Sequence, residues 1–567
     1  SRLIILDFYN DLNGWLIFNN EMFYSDGLKK KVKAIEDKFS SNSIFDQNNL
    51  VAIAVPRSVY LIASVIACLD CGIVYLPIDI EGQPKNRINY ALNSANIQTV
   101  VTLSSVNYDF GDRNIIYLDK CNIESDNIKL SFDSELAYIL YTSGTTGNPK
   151  AVEVTRKGLI NFIVSIPRII KFAENDIIAS FTNFTFDIFF LEAVLPLYCG
   201  MTVVLATKEQ MENPRKSVKL LLDKKVTMLQ STPSRLRLLK LIDSELNCLK
   251  NLKTIMIGGE PFPVELLCSL QKIKDCNIYN MYGPTETTIW SSIADLTNTH
   301  EIHIGLPIHN TNFYLLDNNL NPVSKGQQGE ICIGGLGLAD GYLDNIKQTE
   351  KSFVYLPFKP FERVYITGDL GFYDENDKLI FIGRKDSQIK INGNRVELEE
   401  VEECLNSLKN IDISVVCFDF EHNELIAFYM AQYEIDEHET INELKQLIPD
   451  YMIPHKYVLI EKIYYTDSGK VNRKEMLNIY YKKIANSDFD YNKSEIGKKI
   501  TDIAVNILNS KVIDMSEPLD LIGFDSIKYI TFIVELENEF DIEFGEDKLT
   551  MASFKDMNEL MNYLSNL

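Results

Sequence analysis

Short apolar runs alternate with helical stretches along most of the chain. VAIAVP (51–56), VVLA (203–206) and TIMIGG (254–259) are unbroken enough to predict buried strands. Between them, SVKLLLDKK (217–225) carries its apolar residues at helical spacing. This rhythm predicts an α/β body built on parallel strands. Past Phe381 the texture changes, and RKDSQIKINGNRVELEEVEECLNSL predicts a short hairpin followed by an amphipathic helix, the start of a small α+β unit. The polar stretch 482–495 predicts a linker, and 496–567 has helical patterning without strand alternation, as a small helical bundle would.

Composition narrows the picture. A length of 567 residues accommodates about three to five domains. With 46% hydrophobic and 24% charged residues, the chain has the make-up of a globular protein, not a disordered one. The net charge of −23 argues against nucleic-acid binding by non-specific phosphate neutralisation, which needs a basic face, but leaves room for a small basic pocket. Residues 496–567 hold 6 Lys+Arg against 14 Asp+Glu, so −8 falls there and −15 on residues 1–495. The N-terminal stretch lacks leader-peptide patterning, and the most apolar segment, 59–78, is broken by Asp70 and Gly72. Neither a secretory leader nor a membrane span is expected. The chain opens on Ser1, as one excised from a longer protein could. Its ten cysteines lack disulfide-scaffold spacing, and Cys68 and Cys71 have no second Cys/His pair nearby. They are expected to pack a helix, not to bind zinc, in a reducing cytoplasmic setting.

Candidate chemistry begins at LAYILYTSGTTGNPK (136–150), where a strand-like run ends in residues limited to Thr, Ser, Gly and Asn, followed by Pro149 and Lys150. Glycines let backbone amides approach an anion, hydroxyls add donors, and Lys150 adds a mobile charge. A surface turn would have similar composition. The Walker A pattern is not met, because Asn148 and not Lys follows Gly147.

The loop is one of an ordered series: NMYGPTETTIW (280–290), GEICIGGLGLADGYL (329–343), YITGDL (365–370), GRKDSQIKINGNRVELEEVE (383–402) and SGKVNR (468–473) follow it. CGIVYLPIDIEGQPKNRINYAL (71–92) and HIGLPIHNTNFYLLD (303–317) add to the match. With these motifs, residues 1–478 resemble the adenylation domains of nonribosomal peptide synthetases, within the adenylate-forming superfamily. Ala151, Arg156 and Asp340 depart from the family's common residues and bear on rate, not on class.

The resemblance implies that a carboxylate attacks the α-phosphate of ATP, releasing pyrophosphate and leaving an acyl-adenylate. Thr142, Ser143, Gly144, Thr145, Thr146, Gly147 and Lys150 would hold the departing phosphates. Tyr282 would pack against adenine, with Gly259 and Gly283 also in the ATP site; Asp369 would accept the ribose hydroxyls and Arg384 would assist there. Thr287 would touch the α-phosphate and Glu286 would help bind Mg2+. Lys470, alone a solvated turn lysine, would join Thr287 and Glu286 in catalysis by bridging substrate, phosphate and ribose oxygens. Asp386, alone a turn residue, would be the hinge of the mobile small domain.

Asp187 in FTFDIFFLEAVLPLYCG matches the family residue that holds a substrate α-ammonium, although a bare Asp there could also cap a helix. Carried over by position, the pocket comprises Asp187, Ile188, Leu191, Gln230, Ile255, Ile257, Met281, Ile289 and Trp290. No charged side chain remains to select a charged substrate. The string resembles the pattern associated with glycine, from which Ile255, Ile257 and Met281 depart, Ile257 adding bulk where that pattern has Gly; glycine is expected, otherwise a small neutral amino acid such as alanine.

In LIGFDSIKYITFIVELENEFDIEF (521–544), Ser526 opens a predicted helix and could simply cap it. The segment resembles a peptidyl carrier protein, which implies 4′-phosphopantetheine on Ser526. The expected order is a large multi-sheet α/β domain (1–384), a small α+β lid domain (385–480), a linker (481–495) and an all-α, four-helix carrier (496–567). Expected partners are the amino acid and ATP, a phosphopantetheinyl transferase, condensation or other downstream synthetase domains, and optionally an MbtH-like protein. An acyl-CoA ligase and a non-catalytic scaffold are the competing readings; Asp187 and the carrier oppose the first, and Lys470, Asp369 and Glu286 the second.

Overall fold

The computed structural model describes residues 6–41, 49–124, 130–144, 148–386, 388–466, 471–485, 495–510 and 513–565. The predicted strands form at Leu50–Ile53, Thr202–Leu205 and Thr254–Gly258, and the predicted helix at Pro214–Asp223. Two large sheets make the body. A nine-stranded sheet has a parallel centre in which Asn277–Tyr282, Thr254–Gly258, Met228–Ser231, Ile177–Ser180, Thr202–Leu205 and Trp15–Phe18 lie in order. A seven-stranded sheet runs from Gly341–Tyr342 through Lys150–Thr155, Leu136–Thr142 and Val74–Pro77 to Asn114–Tyr117.

Between these sheets lies Val59–Cys71, a helix apolar on nearly every face because it is covered on all sides. Ser58 caps its start and Gly72, at φ 69°, ends it in the left-handed conformation. Cys68 and Cys71 are fully buried on this helix, and no metal-holding cluster occurs among the described residues. No helix among the described residues is long and apolar enough to cross a membrane.

A five-stranded antiparallel sheet adjoins the body, with Asp369 facing Arg384 across Lys359–Tyr373 and Leu379–Arg384. The hairpin Gln388–Ile391/Asn394–Glu397 follows, then Leu398–Asn406 and a three-stranded sheet of Ile413–Asp419, Glu424–Met430 and Lys456–Leu459. This is the small α+β unit. Arg473–Ala485 packs on that sheet and carries the chain in helix past residue 481, where a linker was expected to begin; 486–494 lie outside the described residues. The C-terminal bundle consists of Glu495–Leu508, Ser526–Phe540 and Met557–Ser565 with 3-10 turns at Glu546–Lys548 and Met551–Ser553, so its fourth helical element is short.

Bundle and body touch. Leu238, Leu241 and Ile242 of the helix Pro233–Ile242 pack on the bundle core, Arg215 bonds Glu537 and the Phe544 carbonyl, and the Asn213 amide donates to the Glu546 carbonyl at 2.8 Å.

Candidate functional site

One cleft between body and small unit collects most of the predicted residues. Leu136–Thr142 delivers Thr142 and Ser143, whose buried hydroxyls have no hydrogen-bond partner among the described residues. Idle buried donors on a Gly-containing turn fit a phosphate. The Gly144 amide donates instead to the Glu400 carboxylate at 3.3 Å, and Glu400 also accepts from Arg87 at 2.7 Å. Thr145, Thr146 and Gly147 lie outside the described residues, as does Lys470.

Glu286, in the turn Thr285–Thr287, is completely buried. The Arg395 Nη1 reaches its two oxygens at 2.9 and 3.1 Å, the Tyr342 hydroxyl donates at 2.8 Å, and the Lys150 Nζ stands 3.7 Å away. Burial pushes this carboxyl up, but Arg395 and then Lys150 hold it well below the usual carboxylate range. Burial, aided by Arg395, draws the Lys150 ammonium down to about 8. Arg395, Glu400 and Tyr342 lie within the quoted motifs, but nothing in the motif spacing gave them partners; Tyr342 reaches Glu286 within the body, whereas Arg395 and Glu400 find theirs only where the small unit meets it.

At the other end, the Tyr282 hydroxyl donates to Asp369, which also accepts from Arg384 at 2.9 Å. Arg384 holds Asp386 as well, at 2.9 and 2.6 Å, so the expected hinge residue is engaged by its carboxylate. Thr287 shares a 2.6 Å hydrogen bond with Ser291, and Gly283 sits against the Ser291 amide and the Ile289 carbonyl. Thr288 and Ile289 both have positive φ, 67° and 64°, which is strained for β-branched residues and aims Trp290 into the core.

Asp187 is half-buried, and its Oδ2 is fully shielded without a hydrogen-bond partner among the described residues. Burial raises this carboxyl to about 6, with Lys390 on the hairpin partly offsetting the shift. The helix Phe189–Ala193 begins beyond Ile188, and Asp187 does not cap it.

The strand Thr254–Gly258 corrects two pocket assignments. Ile255 and Ile257 belong to the core on the far side of the sheet, with Leu229 and Leu267. Alternate residues of a strand face opposite ways, so Met256 and Gly258 take the pocket side. Met256 stands in register with Gln230 and Gly258 with Met281, and Met256 shares a core with Leu191, Met281, Ile289 and Trp290. A Cβ on Gly258 would lie 2.5 Å from the Trp290 ring, so only glycine admits the indole there. The Trp290 Nε1 donates to the Gln230 Oε1 at 2.7 Å, and the Gln230 amide donates to the Ile188 carbonyl at 2.9 Å and to Glu192 at 3.1 Å.

In the bundle, Asp525 caps Ser526–Phe540 through the Lys528 amide at 2.7 Å. Ser526 is exposed and its hydroxyl has no capping duty. Gly259 and the hairpin's Gly393 meet at Thr232.

These features define an AMP-binding enzyme, and the chain belongs to that family, whose model matches residues 44–343. Residues 498–564 match a second family, the phosphopantetheine attachment site. The chain is 36% identical over 444 residues to the dimodular nonribosomal peptide synthase of Bacillus subtilis, covering 75% of this chain and 18% of that protein. It is 30% identical to gramicidin S synthase 1 of Brevibacillus brevis over 97% of this chain and 50% of that protein, so it spans at most about half of either relative. In fold it matches a nonribosomal peptide synthetase protein containing adenylation and peptidyl carrier domains, with TM-score 0.79, 22% identity and coverage of 93% and 89%. It also matches a four-domain nonribosomal peptide synthetase bound to AMP and glycine, with TM-score 0.60, 25% identity and coverage of 99% and 42%.

Proposed function

We propose that this chain is an adenylation–thiolation module that activates glycine with ATP and loads it onto its own carrier. In the first step a glycine carboxylate oxygen attacks the α-phosphorus and pyrophosphate leaves. In the second a thiol attacks the acyl carbonyl and AMP leaves. The observation that carries the reading is Asp187, a carboxylate with a shielded, unpartnered oxygen in the same cleft as Glu286 and Asp369. An α-ammonium is the partner such a group lacks.

The idle hydroxyls of Thr142 and Ser143, with Lys150, would receive phosphates, and Asp369 with Arg384 would receive the ribose. Glu286 fits Mg2+, which is commonly held by one or two carboxylates together with substrate phosphates; bound there, the ion would neutralise phosphate charge. Thr287 would meet the α-phosphate and Lys470 would stabilise the charge that develops in attack. The arm on Ser526 would supply the thiol. Asp386, gripped by Arg384, would be the hinge, with the large domain spanning 1–384, the lid 385–480 and the carrier 496–567.

Glycine rests on Trp290, which is 3% exposed and packed into the space that Gly258 leaves open. With Met256 and Gly258 in place of Ile255 and Ile257, the pocket has Gly where the glycine pattern has it. The glycine-bound neighbour agrees with this, and alanine is the second choice. A phosphopantetheinyl transferase and downstream synthetase domains are the expected partners, an MbtH-like protein is a further one, and the setting is cytoplasmic.

The test is pyrophosphate–ATP exchange with each amino acid, followed by intact mass of the phosphopantetheinylated chain. Glycine should give the highest exchange and a glycyl mass increment. Ser526→Ala should keep exchange and lose the increment, and Lys470→Ala should lose exchange while binding nucleotide. Exchange with no amino acid, or loading of the Ser526→Ala chain, would overturn the reading.

A further inference from the structure

The small unit meets the bundle mainly with basic side chains. Lys445 pairs with Asp520, and the His438 Nε2 lies 3.4 Å from Glu517. Lys456 bonds the Leu508 carbonyl and, at 2.8 Å, the Asn509 carbonyl, where a helix ends and its dipole favours positive charge. These contacts suit the acid-rich surface of almost any carrier of this composition. They attract but do not discriminate.

Glu424 reverses the sign. It opens the strand Glu424–Met430, is 7% exposed, and holds the bundle's Lys528 at 2.9 Å with one oxygen and Lys456 at 3.3 Å with the other. Lys528 lies two residues beyond Ser526 on the same helix, and Gly523 before it approaches His455, where an added Cβ would stand 3.7 Å from the His455 Cβ. We propose that Glu424 selects the carrier to be loaded, by demanding a cation two residues past the modified serine and thereby fixing how that serine is presented to the cleft. A carrier with a neutral or acidic residue at that position would leave Glu424 buried against Lys456 alone, and one with an acid would set two carboxylates together. Repulsion of wrong partners is what gives such a contact specificity. The inference rests on Ser526 carrying the arm.

The experiment uses the full phosphopantetheinylated chain and the variants Glu424→Gln, Lys528→Met and the two combined. Pyrophosphate exchange should stay at the unaltered level in all three, because none of these side chains lines the nucleotide or amino-acid site. Single-turnover loading, followed by intact mass, should slow about tenfold or more in each single variant. The combined variant should be no slower than the slower single one, since both remove one contact. Hydrogen exchange on the unloaded chain gives a readout without chemistry: amides 521–530 should lose protection in both single variants, while those of 413–430 keep theirs. Unchanged loading, effects that multiply in the combined variant, or undiminished protection of 521–530 would each overturn the proposal. Absence of exchange with every amino acid in the unaltered chain would instead remove the activity reading, leaving hydrogen exchange to decide the contact.

Discussion

Arg395 of the small unit's hairpin binds both carboxylate oxygens of Glu286 in the body through a single guanidinium nitrogen. A short distance away, Glu400 of the same unit accepts from the Gly144 amide of the Gly-rich loop. The carboxylate proposed for Mg2+ thus already has a cation, and an amide proposed for phosphate already has an anion. With the small unit in this position its own side chains stand in for metal and phosphate. On the proposed roles, that arrangement suits the step after pyrophosphate has gone.

Arg395→Ala should therefore slow thioester loading more than pyrophosphate exchange. Removing one partner of a buried ion pair costs about 3–5 kcal/mol when the other stays buried. If the small unit turns about the proposed hinge, it would move away instead of leaving Glu286 bare, and the cost would fall on this arrangement of the two units and not on global stability. A loss of roughly tenfold to a hundredfold in the ratio of loading to exchange is expected, with Arg395→Lys recovering part of it. Equal losses in both rates would contradict the assignment.

Asp187 gives a pH dependence of defined sign. Its native carboxyl titrates at about 6, above an unfolded value near 3.9, so the folded chain binds this proton more tightly. Relative to a neutral side chain the carboxyl costs nothing below the unfolded value, destabilises the fold progressively as pH rises through the interval, and above 6 is a fixed cost of at most about 3 kcal/mol, reduced by the partial exposure of the side chain. Asp187→Asn should be more stable than the unaltered chain above pH 6 and equal to it below about pH 4. Substrate ammonium needs the ionised form, so the amino-acid KM in pyrophosphate exchange should rise as pH falls below 6. Denaturant titrations and exchange kinetics over pH 4–8 check both halves, and a flat KM would remove Asp187 from amine recognition.

Much of this was legible before the structure. The order of the motifs gave the class, and the alternation of buried strands with helices gave the body, because both are carried by local sequence. Which face of TIMIG lines the pocket was not legible. All five residues of Thr254–Gly258 are buried, so no polar alternation marks inside from outside, and a shift of one residue exchanged Ile255 and Ile257 for Met256 and Gly258. Ser526 read equally well as a cap, and the sequence did not show that Asp525 takes that role. Arg395 and Glu400 looked like ordinary charges of a hairpin and a helix, since their partners lie more than a hundred residues away in sequence.

Gly258 and Trp290 should set substrate size together. A Cβ at 258 would lie 2.5 Å from the indole and 2.7 Å from the Met281 carbonyl, which is closer than packed atoms approach. Gly258→Ala should cost about 1–3 kcal/mol of overpacking and lower glycine-dependent exchange about tenfold or more. Trp290→Ala removes the ring and leaves the Gln230 Oε1 without its donor, so it should lose about 3–5 kcal/mol of stability. It should also open space, so that alanine, valine or leucine gains on glycine in kcat/KM by roughly 10–200-fold. The combined Gly258→Ala/Trp290→Ala variant should then exchange better with alanine than Gly258→Ala alone, because the contact with the indole is gone and only that with the Met281 carbonyl remains. If Trp290→Ala keeps the glycine preference of the unaltered chain, the indole does not fill the side-chain space and substrate size is set elsewhere.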